Sequence, residues 1–108
     1  GIRLDAYTFS GPYKLFQFQA PKSAGIYAIL KDNPNKAVDV LYVGQTKDFS
    51  DRGLIRLHHR YRCFVENAGG EFNVMVAILQ MPTSTEDQRK KVESRLIGVY
   101  NPPCNRTS

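Results

Sequence analysis

The chain has 108 residues, enough for one domain around a single core and too few for two. Its 42% hydrophobic, 11% aromatic and 23% charged residues suit a folded globule and exclude collagen, a heptad rod and a disordered chain. Fifteen Lys and Arg against ten Asp and Glu leave a net charge of +5, which favours polyanions as partners.

The longest apolar runs, 26–30 and 74–79, fall far short of the roughly 18 residues that a membrane-spanning helix needs. No charged start leads into an apolar leader, so a cytoplasmic, intracellular protein without a membrane partner is expected. Residues 1–23 read as an N-terminal extension, a short strand or arm packed on the core. Gly11-Pro12 and Pro21 are its breakers, and Phe9, Phe16 and Phe18 its anchors. The domain proper is expected over 24–108. Residues 25–30 and 38–44 are strand candidates on either side of the turn-rich stretch 31–36, and together they predict an antiparallel hairpin.

Asp48, Ser50 and Asp51 supply start signals, and Leu54, Leu57, Tyr61, Phe64 and Val65 follow at helical spacing, predicting a helix over about 50–65. On its wheel Arg52, Arg56, His59, Arg60 and Cys63 lie opposite the apolar stripe, and His58 sits at the border. Gly69-Gly70 breaks the chain, and 72–79 reads as a buried strand ended by Pro82. Thr83 with Glu86 and Ser84 with Asp87 form overlapping capping boxes for a helix that runs to about Tyr100 and stops at Asn101-Pro102-Pro103. This order predicts an α/β (α+β) domain with a small central mixed three-stranded sheet flanked by helices.

Three features bear on chemistry. From 52 to 62 stand Arg52, Arg56, His58, His59, Arg60 and Arg62 with no acidic residue beyond Asp51, either a solvated helix face or a phosphate-binding one. Cys63 and Cys104 are too few for a disulfide framework and lack the short spacing of a zinc knuckle, so both are expected to be reduced. With His58 and His59 they could alternatively hold zinc in an interaction domain. Glu93 shares a helical face with Leu96, Ile97 and Tyr100, which sets a carboxylate on the packed side. Such a group needs a cation, a metal or hydrogen bonds; Lys90 or Arg89 of the same helix is the simplest partner.

Tyr27 and Tyr42 each stand beside a glycine in adjacent strand candidates, as Gly25-Ile26-Tyr27 and Tyr42-Val43-Gly44. Tyrosines on strands usually fill a half-buried sheet surface. The two tripeptides together resemble the signature of the GIY-YIG nuclease superfamily. Arg52 about ten residues past Tyr42, a histidine on the next helix, Glu93 in a late helix and Asn105 in Asn101-Pro102-Pro103-Cys104-Asn105 follow in the same order. The likeness covers about 24–106. It departs where the histidine comes six or seven residues after Arg52, as though about two residues were inserted near Gly53. Arg52 or Arg56, and His58 or His59, can therefore occupy the two positions, with Arg52 and His58 favoured.

The resemblance implies a divalent-metal-dependent endonuclease acting on DNA, with RNA left open. Glu93 would hold one Mg2+ (or Mn2+) ion, which suits a hard cation that keeps much of its hydration. Tyr27 would act as general base or water positioner, and Tyr42 with His58 or His59 would place water and phosphate. Arg52 would hold the scissile phosphate, and Asn105 would be a supporting hydrogen-bond partner. Lys47, Arg56, Arg60 and Arg62 would bind the nucleic-acid backbone, with specificity left to an appended or separate DNA-binding domain. The alternative is a non-catalytic nucleic-acid-binding module of the same fold, using Arg56, Arg60, Arg62, Lys90 and Lys91.

Overall fold

The apolar run at 26–30 becomes the centre of the molecule because both of its faces find cover. The computed structural model describes residues 1–33 and 38–106. Its strands are β1 (Ile2–Leu4), β2 (Tyr7–Lys14), β3 (Gly25–Lys31), β4 (Asp39–Thr46) and β5 (Val74–Gln80), with helices α1 (Tyr61–Ala68) and α2 (Glu86–Tyr100). The strands form one sheet in the order β1-β2-β5-β3-β4, and every pairing is antiparallel. The α+β class is as expected, but the three-stranded mixed sheet is not. Residues 1–23 contribute two strands: Leu4 and Phe9 point inward and are buried, and the chain passes Gly11-Pro12 by a register shift between Ser10 and Tyr13. The stretch 31–36, expected to turn, lies partly outside the described residues.

Alternation along β3 divides the core in two. Ile26, Ala28 and Leu30 join Val40, Val43 and Ala77 against Leu4, Phe9 and Leu96, so that α2 and the first strands cover this face. Tyr27 and Ile29 join Val74, Val76 and Ile78 against Phe49, Ile55, Phe64 and Ala68, on the α1 side.

Helix α1 begins later than the spacing predicts. Gly53 adopts φ +80°, which an α-helix cannot contain, and Asp48 turns the chain by accepting hydrogen bonds from the Ser50 amide and hydroxyl. Residues 50–60 are therefore a chain of turns. Ile55 is buried at 5% exposure, whereas Leu57 of the expected stripe is 81% exposed. Helix α2 is capped by Thr85 with Gln88 in a reciprocal box, neither of the pairs expected, and closes on Asn101 in the left-handed region. Ser84 instead donates to the Met81 carbonyl.

The cysteines are not reduced: Cys63 on α1 and Cys104 in the 3-10 turn Pro103–Asn105 form a disulfide, their Cα atoms 5.8 Å apart. Two cysteines far apart in sequence gave no sign of this, since only folding sets the two segments side by side.

Gly25 sits where a Cβ would collide with the Leu79 carbonyl and meet the Phe49 ring at 2.6 Å. Gly25→Ala is expected to cost about 1–3 kcal/mol by overpacking, read as a lower urea midpoint. An unchanged midpoint would mean that β3 and β5 do not approach this closely.

Candidate active site

Strand β4 pairs with β3 on one side only, so the peptide groups on its outer edge need other partners. Val43 N–H donates to Asn105 Oδ1 at 2.8 Å, and Asn105 Nδ2 donates to the Val43 carbonyl at 2.9 Å. The carboxamide thus stands in for a neighbouring strand. Two residues on, the Gln45 backbone favours the charged form of the nearby Glu93 carboxyl. The Gln45 side-chain Oε1 accepts from Arg89 Nε at 2.9 Å. Arg89 is only 6% exposed and also donates to the carbonyl and hydroxyl of Ser84. The outer edge of β4 therefore holds both α2, through Arg89, and the C-terminal segment, through Asn105.

The register sets Tyr27 opposite Gly44 and Ile29 opposite Tyr42, which leaves the two phenols diagonal to each other on the α1 face. Their ring centroids are 6.0 Å apart. A Cβ at Gly44 would collide with the Tyr27 ring and hydroxyl, so the glycine of the second tripeptide makes room for the tyrosine of the first. His58 meets Tyr42 edge-on at 4.9 Å and Tyr27 at 6.5 Å, while His59 stacks on its outer side at 4.5 Å. His58 Nδ1 accepts the Arg60 amide at 3.0 Å, which assigns the neutral ring proton to Nε2.

Burial, with Tyr42 and Glu93 nearby, pushes the Tyr27 phenol well above its ordinary range. Burial and Glu93 also raise Tyr42, against the opposing effects of the Tyr27 hydroxyl and Arg60. Burial raises the Glu93 carboxyl, opposed by the Gln45 amide and Lys90. Burial, then repulsion by His59 and Arg60, holds His58 down at about 4. At neutral pH the two phenols are therefore protonated and the imidazole is neutral.

The structure brings Tyr27, Tyr42 and His58 into contact, sets Glu93 near enough for its charge to raise both phenols, and bonds Asn105 to the edge of β4. Arg60 adjoins them: with Tyr42, His59, Cys104, Asn105 and Arg106 it lines a cavity of about 310 Å³. Arg52 is exposed and lines a different cavity with Phe49 and Ile55, with no described contact to the tyrosines. The Arg56 guanidinium lies 4.9 Å over the Phe16 ring. Arg62 pairs with Glu66 at 2.8 Å on the surface, and Lys47 is exposed just beyond β4. Lys90 pairs with Glu86 at 3.5 Å, and Lys91 is exposed. Arg89, expected with Lys90 as a partner of Glu93, bonds Gln45 and Ser84 instead, and Arg106 was missed. Arg89 stands one turn before Glu93 on the same face, a spacing that signals a shared neighbourhood, whereas nothing in the sequence marks Arg106.

Cys63 and Cys104 are consumed in the disulfide, so they do not serve as zinc ligands, and among the described residues no group of three or more His, Cys, Asp or Glu could hold an ion. A lone half-buried carboxylate such as Glu93 fits a hard cation that keeps its waters and takes substrate oxygens, not a closed cage.

Two outcomes follow from this geometry. Asn105→Asp sets a carboxylate against the Val43 carbonyl and is expected to cost about 1–3 kcal/mol near neutral pH. The loss relative to the parent should shrink in acid, where the protonated side chain can again donate; thermal melts at the two pH values check it. For His58, whose folded pKa lies below the unfolded value, the unfolded state takes up the proton first, so its contribution to stability is present above about 6.5 and is lost as pH falls towards about 4. Its NMR ring signals should move only in that acid range, and a midpoint near 6.5 would refute the buried, amide-bonded imidazole. Set against known proteins, the chain matches no family model, no curated protein and no solved structure.

Proposed function

We propose that the chain is a divalent-metal-dependent endonuclease of the GIY-YIG type that hydrolyses phosphodiester bonds in DNA. The observation that carries this reading is the convergence of two tyrosines, a histidine and a carboxylate from separate elements, β3, β4, the 50–60 turns and α2. Packing alone explains the rings. It does not explain a half-buried carboxylate whose charge acts on both phenols.

Glu93 is the proposed ligand of one Mg2+ or Mn2+ ion, and the nearby Gln45 backbone favours its charged form. The bound ion supplies charge stabilisation at the phosphate and leaving oxygen. The Tyr27 and Tyr42 hydroxyls and His58 Nε2–H hold the attacking water and the phosphate oxygens. With its phenol held protonated, Tyr27 acts as a positioner of that water. Arg52, Arg56 and Lys47, exposed around the turns, take neighbouring phosphates of the strand. Asn105 acts through Val43, fixing the strand that carries Tyr42.

The raised phenol favours a second reading, a nucleic-acid-binding module without catalysis. Target choice is assigned to an appended or separate DNA-binding domain. A DNA substrate argues for an intracellular site of action, where the Cys63–Cys104 bond must withstand a reducing pool.

Purified protein is expected to cut plasmid or branched DNA only with Mg2+ or Mn2+ added. Glu93→Gln and Tyr27→Phe, each folded by circular dichroism, should lose about a hundredfold or more, since several kcal/mol of charge stabilisation goes with such groups. Salt-dependent binding without cleavage by the parent protein would favour the binding module.

A further inference from the structure

Two arginines near the C-terminus are oriented by carbonyl oxygens instead of by acids. Arg60 donates through Nε to the Cys104 carbonyl at 2.8 Å and through Nη2 to the Arg106 carbonyl at 3.1 Å. Arg106 donates through Nε to Asn101 Oδ1 at 3.3 Å and through Nη2 to the Asn101 carbonyl at 3.1 Å. Neither forms an ion pair among the described residues, whereas Arg62 and Arg95 are each matched by a carboxylate. Both forks are aimed, neither charge meets a carboxylate among the described residues, and each Nη1 keeps its donors there.

The two groups meet in the cavity of about 310 Å³ that Tyr42, His59 and Asn105 also line. A concave wall of one sign focuses potential, and a pre-aimed guanidinium matches phosphate oxygens. The segment beneath is anchored twice: Cys104 is bonded to Cys63 on α1, and Asn105 is bonded to Val43 on β4. No other arginine of the 52–62 stretch is placed in this way.

We propose that Arg60 and Arg106 form a phosphate subsite that grips the strand beside the group held at Tyr27, Tyr42 and Glu93. Its position along the strand rests on the nuclease reading, but its chemistry as an anion site does not.

The test measures binding of a short fluorescein-labelled DNA duplex by anisotropy in EDTA, so that no cleavage intrudes, over a range of NaCl concentrations. Arg106→Ala should weaken binding alike on two unrelated sequences and reduce the slope of log affinity against log salt by about one. Arg60→Lys keeps the charge and loses the fork; it should weaken binding while the slope holds. Arg3→Ala removes the same charge from β1, at the far edge of the sheet, and should leave the slope unchanged. An unaltered slope in Arg106→Ala, an equal fall in Arg3→Ala, or no DNA binding by the parent would each overturn the subsite. A parent protein that binds with these slopes but never cuts in Mg2+ would leave the subsite standing and remove the nuclease reading alone.

Discussion

The outer edge of β4 is the constraint on which the site depends. An edge strand presents peptide groups that must be satisfied, and here those of Val43 are met by Asn105 while the Gln45 side chain holds Arg89 of α2, so that two segments that follow β5 are tied to this edge. The same peptide units carry the ring of Tyr42 and the gap at Gly44 on the inner side. Backbone hydrogen bonding and site geometry are thus one arrangement: shifting β4 by a residue would misplace the tyrosine, the carboxylate and the asparagine together.

The second support is covalent. The disulfide closes a loop with a sequence separation of 41 that contains β5 and α2. In the chain-entropy account such a closure contributes about 4 kcal/mol, a large share of the roughly 5–15 kcal/mol of a small domain. Glu93 therefore belongs to a section of chain pinned at both ends. Arg89, buried against Gln45 and Ser84, adds a polar pin in the middle.

Much of this was legible in the residues. The alternation at 25–30 and 38–44 matched β3 and β4, and the apolar periodicity after Pro82 matched α2, because in those segments local pattern and tertiary burial agree. The tyrosine pair and Glu93 could be singled out because polar groups amid apolar neighbours are conspicuous. The 50–60 segment misled because its leucines mimic helical spacing while Gly53 takes a backbone angle that no periodicity reveals. The first two strands were hidden by Gly11-Pro12, which reads as a stop although the register shift carries the ladder past it. The disulfide, the Arg89 pin and the carbonyl-held arginines depend on segments far apart in sequence, so no local signal encodes them.

The occupied edge of β4 has a consequence for the molecule among its copies. A sheet with a bare flank is a template for another chain, and open edges are where swapping and fibril growth begin. Here one flank is closed at Val43 by an asparagine side chain, and the other ends in β1, only three residues long. The contacts that aim the site thus also deny a neighbouring chain its foothold.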